Sequence, residues 1–404
     1  MLYSFVVPTR DRHDVLKSTI ESVLRQTHSE FELVIMDNAS SPETKKVVDS
    51  FSSPHIRYFR SEKRLAMTDN WELALEYARG DYINFLGDDD GPLPDAVEIA
   101  KSVHARWPSM ILAWKPLIYF WPKFLVEEYQ NLAHVHIGSR IEFRNSKSFL
   151  KDIYSCSRIY NELPSIYDAF VPRDLIANVK AKYGRYFLSR SPDIGSGLVN
   201  AWSTETFLYS YRALAVRGVS HHSTGAAFSY FPFAKGSKEA FELETEGGLW
   251  KEQLHPKLEA GYVVEIAVAN ELLQFKDKYY PDDDDVKLDM AGFVSWFSKA
   301  APRFMSHYDK VVEAIHSIAA KNGVDPAQIE IDPVWTHIQR AAFFPTLDKS
   351  ASTVSYSYYP NSAYINNIAD FTSAYASALV QSRDIEIIPL PPQPVIARKR
   401  FFFF

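Results

Sequence analysis

The sequence predicts an α/β fold built on a mostly parallel sheet with helices on both faces. Three observations predict it. Short apolar runs recur at 3–7, 31–36, 56–59 and 82–86, stretches with helical apolar spacing separate them, and three of the runs end in polar clusters. Strands that are apolar throughout, rather than alternating, belong to parallel sheets covered on both sides.

The elements follow in chain order. Tyr3 to Val7 is the first strand and ends at Pro8-Thr9-Arg10. Val15, Leu16, Ile20, Val23 and Leu24 then repeat at helical spacing, with Asp11 or Asp14 as the expected cap. The second strand, Phe31 to Met36, runs into Asp37-Asn38-Ala39-Ser40-Ser41, and Pro42 suits the first turn of the next helix. Ile56 to Phe59 is a third strand and Met67 to Ala78 a helix. Tyr82 to Leu86 is a fourth strand that leads into Gly87-Asp88-Asp89-Asp90.

Residues 105–235 are less regular, with strands near Ile111–Trp114 and Ala169–Val171 and a helix after Ser191-Pro192-Asp193. From 236 helical patterns dominate, including Val263–Asp277 and Tyr308–Lys321, on either side of the acidic run Asp282 to Asp285, which reads as a solvated turn. The expected division is a domain over 1–235, a mainly helical region over 236–387 and a tail over 388–404. The first domain would split into two halves, 1–100 and 101–235.

Composition excludes several classes. The chain has 404 residues, 46% hydrophobic and 23% charged, as in a soluble globular protein. A net charge of −6 opposes general nucleic-acid binding, which needs a positive surface. Cys156 is the only cysteine, so no disulfide forms within the chain, and it reads as a small buried hydrophobe. No stretch holds the ~18 uninterrupted apolar residues of a membrane span. The opening residues lack the basic lead of a signal peptide and read as a strand, so a cytoplasmic setting is expected. The tail Arg398-Lys399-Arg400 followed by four Phe couples charge to apolar bulk and would suit peripheral contact with the inner face of an anionic membrane.

Ligands of open α/β sheets bind beyond the carboxyl ends of the strands. Thr9-Arg10, Asp37-Asn38 and Asp88-Asp89-Asp90 stand at those ends and should converge on one rim. Each alone is ordinary turn chemistry; all three at corresponding positions indicate a site. Adjacent carboxylates repel unless a cation sits between them, and hard divalent ions bridge carboxylates to phosphates.

Val6-Val7-Pro8-Thr9-Arg10, Val34-Ile35-Met36-Asp37-Asn38-Ala39-Ser40 and Tyr82-Ile83-Asn84-Phe85-Leu86-Gly87-Asp88-Asp89-Asp90 with Leu93-Pro94 together resemble the family 2 glycosyltransferases of GT-A fold. The likeness is close over the first hundred residues and looser to about residue 230. It implies inverting transfer of a sugar from a nucleotide diphosphate donor, UDP by family habit, to a glycan or lipid-linked acceptor in surface polysaccharide synthesis, with Mn²⁺ or Mg²⁺ as cofactor. Thr9 and Asp37 would then hold the base and ribose, and Arg10 and Arg64 would face the nucleotide or its phosphates. Pro8, Asn38 and Asp89 fall in the same nucleotide-sugar site. Asp88 and Asp90 would supply the Asp-x-Asp contacts to ribose and metal. Many relatives carry Asp where this chain has Gly87, so metal and ribose roles stay open among the three aspartates.

Inversion needs a base for the acceptor hydroxyl. The resemblance places it at Asp193, a residue that would equally serve as a helix cap; Glu205 is the second candidate. The family often completes the metal shell with a histidine after this segment, here His221 or His222, of which only one should point inward because neighbours on a strand diverge. Trp114, Tyr119, Phe120, Trp121, Phe124, Trp202 and Tyr209, the last two on the helix after Asp193, could stack on sugar rings or fill the core. Two enzymatic alternatives are weaker. A nucleotidyltransferase would show a Gly-rich basic loop after strand one, and a dinucleotide oxidoreductase would show Gly-x-Gly-x-x-Gly there. A non-catalytic glycan-binding protein on the same fold is the alternative from another class.

Overall fold

The computed structural model describes residues 1–223, 254–259, 263–338, 345–348, 353–378 and 387–388. The expected boundary at 235/236 and the basic, Phe-ending tail lie outside these residues. No helix among them is long and apolar enough to cross a membrane.

The first hundred residues alternate as expected: β1 (Tyr3–Thr9), α1 (His13–Leu24), β2 (Phe31–Asp37), α2 (Pro42–Asp49), β3 (Ile56–Arg60), α3 (Met67–Tyr77) and β4 (Tyr82–Phe85). β5 (Gly91–Pro92), α4 (Ala96–His104), β6 (Leu112–Trp114) and β7 (Leu117–Phe120) come next. They lead to β8 (Ala133–Ile137), β9 (Ile141–Asn145), α5 (Ser146–Tyr154), β10 (Ala169–Pro172) and α6 (Arg173–Tyr183). The middle of the chain ends with α7 (Pro192–Ser203), β11 (Thr206–Ser210) and β12 (Ala215–Val219). The last third contributes α8 (Val264–Tyr279), α9 (Met290–Ala300), α10 (Tyr308–Lys321), β13 (Thr346–Asp348), β14 (Thr353–Tyr358), α11 (Ile368–Ala378) and β15 (Ile387–Ile388).

A 9-stranded sheet has the order β15-β9-β11-β6-β10-β4-β1-β2-β3. β4, β1, β2 and β3 are mutually parallel, in a register that sets Thr9 beside Asp37. Alternate residues of β1 serve opposite faces. Val6 joins a core with Val34, Ile83, Trp71 and Leu75, whereas Phe5 and Val7 join one with Leu16, Ile20, Ile35 and Val97. Burial on both faces is why these strands are apolar throughout rather than alternating; each fully buried large side chain contributes on the order of 2 kcal/mol.

The last third completes these layers. Ile266, Leu272, Phe293, Phe297, Ile315 and Ile318 enter the same core as Val6 and Val34. β14 pairs with β8 and extends a second, 6-stranded sheet of order β13-β14-β8-β7-β12-β5. α11 lies against α1, where Arg25 Nη1 donates to the Ala369 carbonyl at 2.6 Å, and Phe371 stacks on Tyr119 at 4.8 Å.

Four local expectations are corrected. The N-cap of α1 is Arg12, with no side-chain cap, because Asp11 and Asp14 are turned to other partners described below. Tyr209 lies on β11, not on a helix, since the chain bends at Glu205 immediately after α7. Cys156 is half-buried, in the left-handed region at φ 56°. Asp283, in the acidic run, is drawn inward by Lys147 and by the Trp202 indole, whose Nε1 donates at 3.2 Å.

Candidate functional site

The ends of β1, β2 and β4 meet. Thr9 Oγ1 donates to Asp88 Oδ2 at 2.7 Å, and Asn38 N donates to the Thr9 carbonyl at 2.9 Å. Between the first two segments, Asp11 N donates to Ser40 Oγ at 2.9 Å and Ser41 N to Asp11 Oδ1 at 2.7 Å. Asp11 and Ala39 adopt φ values of 53° and 52°, the left-handed turns that let the two loops cross.

Among the expected nucleotide-site residues, Asp37 is fully enclosed and accepts from Tyr58 at 2.5 Å, Arg60 at 2.9 Å and the Ser40 amide at 2.8 Å. Asn38 braces the segment before α3, donating to the Leu65 carbonyl at 2.9 Å and accepting from the Leu65 amide at 2.8 Å. Arg64 pairs with Asp11 at 3.1 Å and is 61% exposed, whereas Pro8 and Arg10 are half-buried. Asp37 and Asn38 therefore shape the rim, and Arg60 and Arg64 present charge from it.

The acidic loop is densely wired. Asp88 accepts from Thr9 and pairs with Arg12 at 3.1 Å. Thr19 of α1 donates to the carbonyls of Asp88 and Asp90, both at 2.8 Å. Asp89 Oδ2 takes the Ser220 amide at 3.1 Å and hydroxyl at 2.6 Å, while no donor among the described residues reaches its Oδ1. Asp90 has both oxygens engaged by backbone amides, Gly218 at 2.7 Å and Gly87 at 2.8 Å. Burial, then the neighbouring carboxylate, raises the pKa of both Asp89 and Asp90.

Two glycines make this loop fit. A Cβ on Gly218 would stand 1.7 Å from the Asp89 carbonyl, so β12 can run beside the loop only with glycine there. A Cβ on Gly87 would meet the Tyr167 hydroxyl at 2.7 Å and Asp90 Oδ2 at 2.9 Å. The Tyr167 hydroxyl thus takes the space that a side chain at position 87 would need.

The loop suits a hard divalent ion. Three buried carboxylates crowd together with Asp88 paired to Arg12, a crowding that a cation would relieve, and the donor set is all oxygen. Asp89 offers the free oxygen; Asp90 offers none.

Asp193 occupies the first turn of α7, but Ser191 is the N-cap. Its carboxylate is half-buried and accepts from the Ile194 amide; burial raises its pKa, against the attraction of Arg217. Ser165 and Ser196 donate to the Asp193 carbonyl at 2.7 and 2.9 Å, and Glu271 of α8 takes the Ser191 amide at 3.0 Å. Arg217 grips the buried Asp168 with two nitrogens and lies 5.5 Å from the Tyr167 ring centroid, so one guanidinium links the Asp193 region to the residue that packs on Gly87. Glu205 is exposed in a bend, its carbonyl bound to Ser146 N, away from these groups.

Sequence reading missed Arg12, Tyr167, Asp168 and Arg217. Arg217 left a signal, a lone cation inside the apolar strand run Ala215-Val216-Arg217-Gly218-Val219. The aromatic candidates Trp114, Tyr119, Phe120, Trp121, Phe124 and Tyr209 are buried, and Trp202 stacks on Phe275 and Tyr280; all are packing residues.

His221 and His222 both turn the same way, correcting the expectation that one would face inward. β12 ends at Val219 and the pair sits in a turn, where strand alternation does not apply. Their Nε2 atoms reach Asp14 of α1 at 3.4 and 3.0 Å, rather than the aspartate loop.

Residues 4–120 match the family model Glycosyl transferase family 2. An Escherichia coli protein described as UDP-Glc:alpha-D-GlcNAc-diphosphoundecaprenol beta-1,3-glucosyltransferase WfgD is 31% identical over 102 residues, 25% of this chain and 40% of that one. The Bacillus subtilis putative teichuronic acid biosynthesis glycosyltransferase TuaG is 31% identical over 101 residues, 24% and 39% of the two chains. The chain thus spans about two-fifths of the length of these curated relatives. The solved Staphylococcus aureus TarS 1–349 with UDP-GlcNAc aligns over 80% of this chain and 88% of that one at 14% identity, with a TM-score of 0.44, too distant a likeness to carry an argument. The matched segment holds β1 through β7 with the whole aspartate loop.

Proposed function

We propose that this protein is an inverting glycosyltransferase that moves a sugar from a nucleoside diphosphate donor, a UDP-sugar by preference, to a hydroxyl of a glycan or lipid-linked acceptor in surface polysaccharide synthesis. One observation carries the reading: Thr9 joins the ends of three strands, donating to Asp88 and accepting from the Asn38 amide, next to Asp89 with a free carboxylate oxygen. The family match supports it, and relatives with lipid-linked substrates in their names support that acceptor class.

In this reading Arg60 and Arg64 face the nucleotide end, and Asp89 would hold Mn²⁺ or Mg²⁺ through its free oxygen, an ion that would supply neutralisation of the departing diphosphate. Asp90 anchors the loop. Asp193 takes the proton of the acceptor hydroxyl while that oxygen attacks the anomeric carbon opposite the leaving group. Burial raises its basicity, which suits a group that must accept a proton. Arg217 and Asp168 position it. The work would be done on the inner side of the membrane, where such acceptors are made.

The test is calorimetry of the full chain with UDP, GDP and CDP, each with Mn²⁺ or Mg²⁺, followed by a transfer assay on lipid-linked saccharides. Binding of one diphosphate that chelator removes, with an inverted product, is expected. No diphosphate binding with either ion would overturn the reading. Binding without transfer or donor hydrolysis would favour the non-catalytic alternative.

A further inference from the structure

We infer that Asp14, His221 and His222 form a binding site for a divalent transition-metal ion, separate from the aspartate loop. His222 Nε2 lies 3.0 Å from Asp14 Oδ1, His221 Nε2 lies 3.4 Å from Asp14 Oδ2, and the two rings sit 3.9 Å apart at 38°. One ligand atom from each residue falls within 4.8 Å of the other two, the one such group of three among the described residues. None of the three aspartate-loop carboxylates belongs to it.

The donor chemistry differs from that of the loop. Two imidazole nitrogens and one carboxylate suit Zn²⁺, Co²⁺ or Mn²⁺, whereas an all-oxygen set suits Mg²⁺. The side chains are 30%, 29% and 43% exposed for His221, His222 and Asp14, so three protein ligands would leave outward positions for water or an oxygen ligand. Preorganisation comes from the turn that carries the histidines. Ser220 is bound to Asp89 through both its amide and its hydroxyl, and the His222 amide donates to Ser220 Oγ at 3.2 Å. Asp14 is fixed by α1, whose Thr19 is bound to the same loop.

The experiment uses the full chain without nucleotide, so its outcome does not depend on the proposed activity. Co²⁺ is titrated in, read by calorimetry and by the visible absorption of the bound ion. One equivalent should bind. Asp14→Asn, His221→Gln and His222→Gln should each weaken it by about 100-fold, at least the loss known for residues that merely support ligands, while Asp88→Asn, outside the Ser220 contacts, should leave it unchanged. Absence of saturable binding overturns the proposal. So does loss of Co²⁺ in Asp88→Asn with retention in Asp14→Asn, which would assign the ion to the aspartate loop.

Discussion

Thr9 donates its hydroxyl proton to Asp88 Oδ2 at 2.7 Å, joining two residues 79 positions apart. Arg12 pairs with the other oxygen of the same carboxylate at 3.1 Å. Asp88 is thereby oriented before any ligand arrives, and its neighbours divide the remaining work: Asp89 presents an oxygen and Asp90 ties down the loop.

That division predicts opposite phenotypes for adjacent substitutions. Asp89→Asn should lower metal-dependent nucleotide binding, read by calorimetry, with the melting temperature unchanged. Asp90→Ala leaves the amides of Gly87 and Gly218 without acceptors and should cost on the order of 2 kcal/mol in denaturant unfolding. Equal stability of the two variants would show that Asp90 is not the anchor.

Asp193→Asn keeps the shape of the α7 start but removes the proton acceptor. Transfer should fall by about 10²- to 10⁴-fold, with UDP affinity within error of the parent protein. A variant that retains full transfer would reject Asp193 as the base.

Much of this arrangement was legible in the sequence because parallel strands buried on both faces leave long apolar runs, and Tyr3–Val7 or Phe31–Met36 could hardly be anything else. Helix α10 matches its expected bounds of Tyr308–Lys321 for a similar reason, a clean apolar stripe through Val311, Ile315 and Ile318. What stayed hidden depends on contacts between distant segments. The turn that swings both histidines onto Asp14, the packing of Tyr167 on Gly87 and the passage of Gly218 beside Asp89 are tertiary events with no local pattern. β14 joins β8 across more than two hundred residues, a pairing that no local pattern announces.

The Gly87–Tyr167 packing predicts a coupled pair. Gly87→Ala places a methyl 2.7 Å from the Tyr167 hydroxyl and should destabilise by about 1–3 kcal/mol. Adding Tyr167→Phe removes that hydroxyl and should recover part of the loss, although Asp90 Oδ2 still stands 2.9 Å away. A double-mutant cycle in urea measures the coupling; strictly additive effects would place the Gly87 requirement elsewhere.

His104 predicts a pH dependence of stability. The ring is fully buried, stacks on Tyr82 with centroids 3.7 Å apart, and its Nδ1 lies 2.9 Å from the Tyr3 hydroxyl. Burial disfavours the imidazolium and lowers its pKa from 6.5 to about 3. Below pH 6.5 the unfolded chain takes up a proton that the folded chain refuses, so this group's contribution is complete above 6.5 and declines as the pH falls toward 3. At pH 5 the loss relative to pH 7 is roughly 2 kcal/mol. His136, buried and lowered in the same way, adds its own share, so the two proton uptakes must be separated by substitution. His104→Phe preserves the stacking on Tyr82 and abolishes one uptake. Urea unfolding at pH 7 and pH 5 should show the variant losing about 2 kcal/mol less than the parent between the two conditions, whatever its stability at pH 7. An identical loss in both proteins would mean that the folded chain protonates His104 as readily as the unfolded chain does.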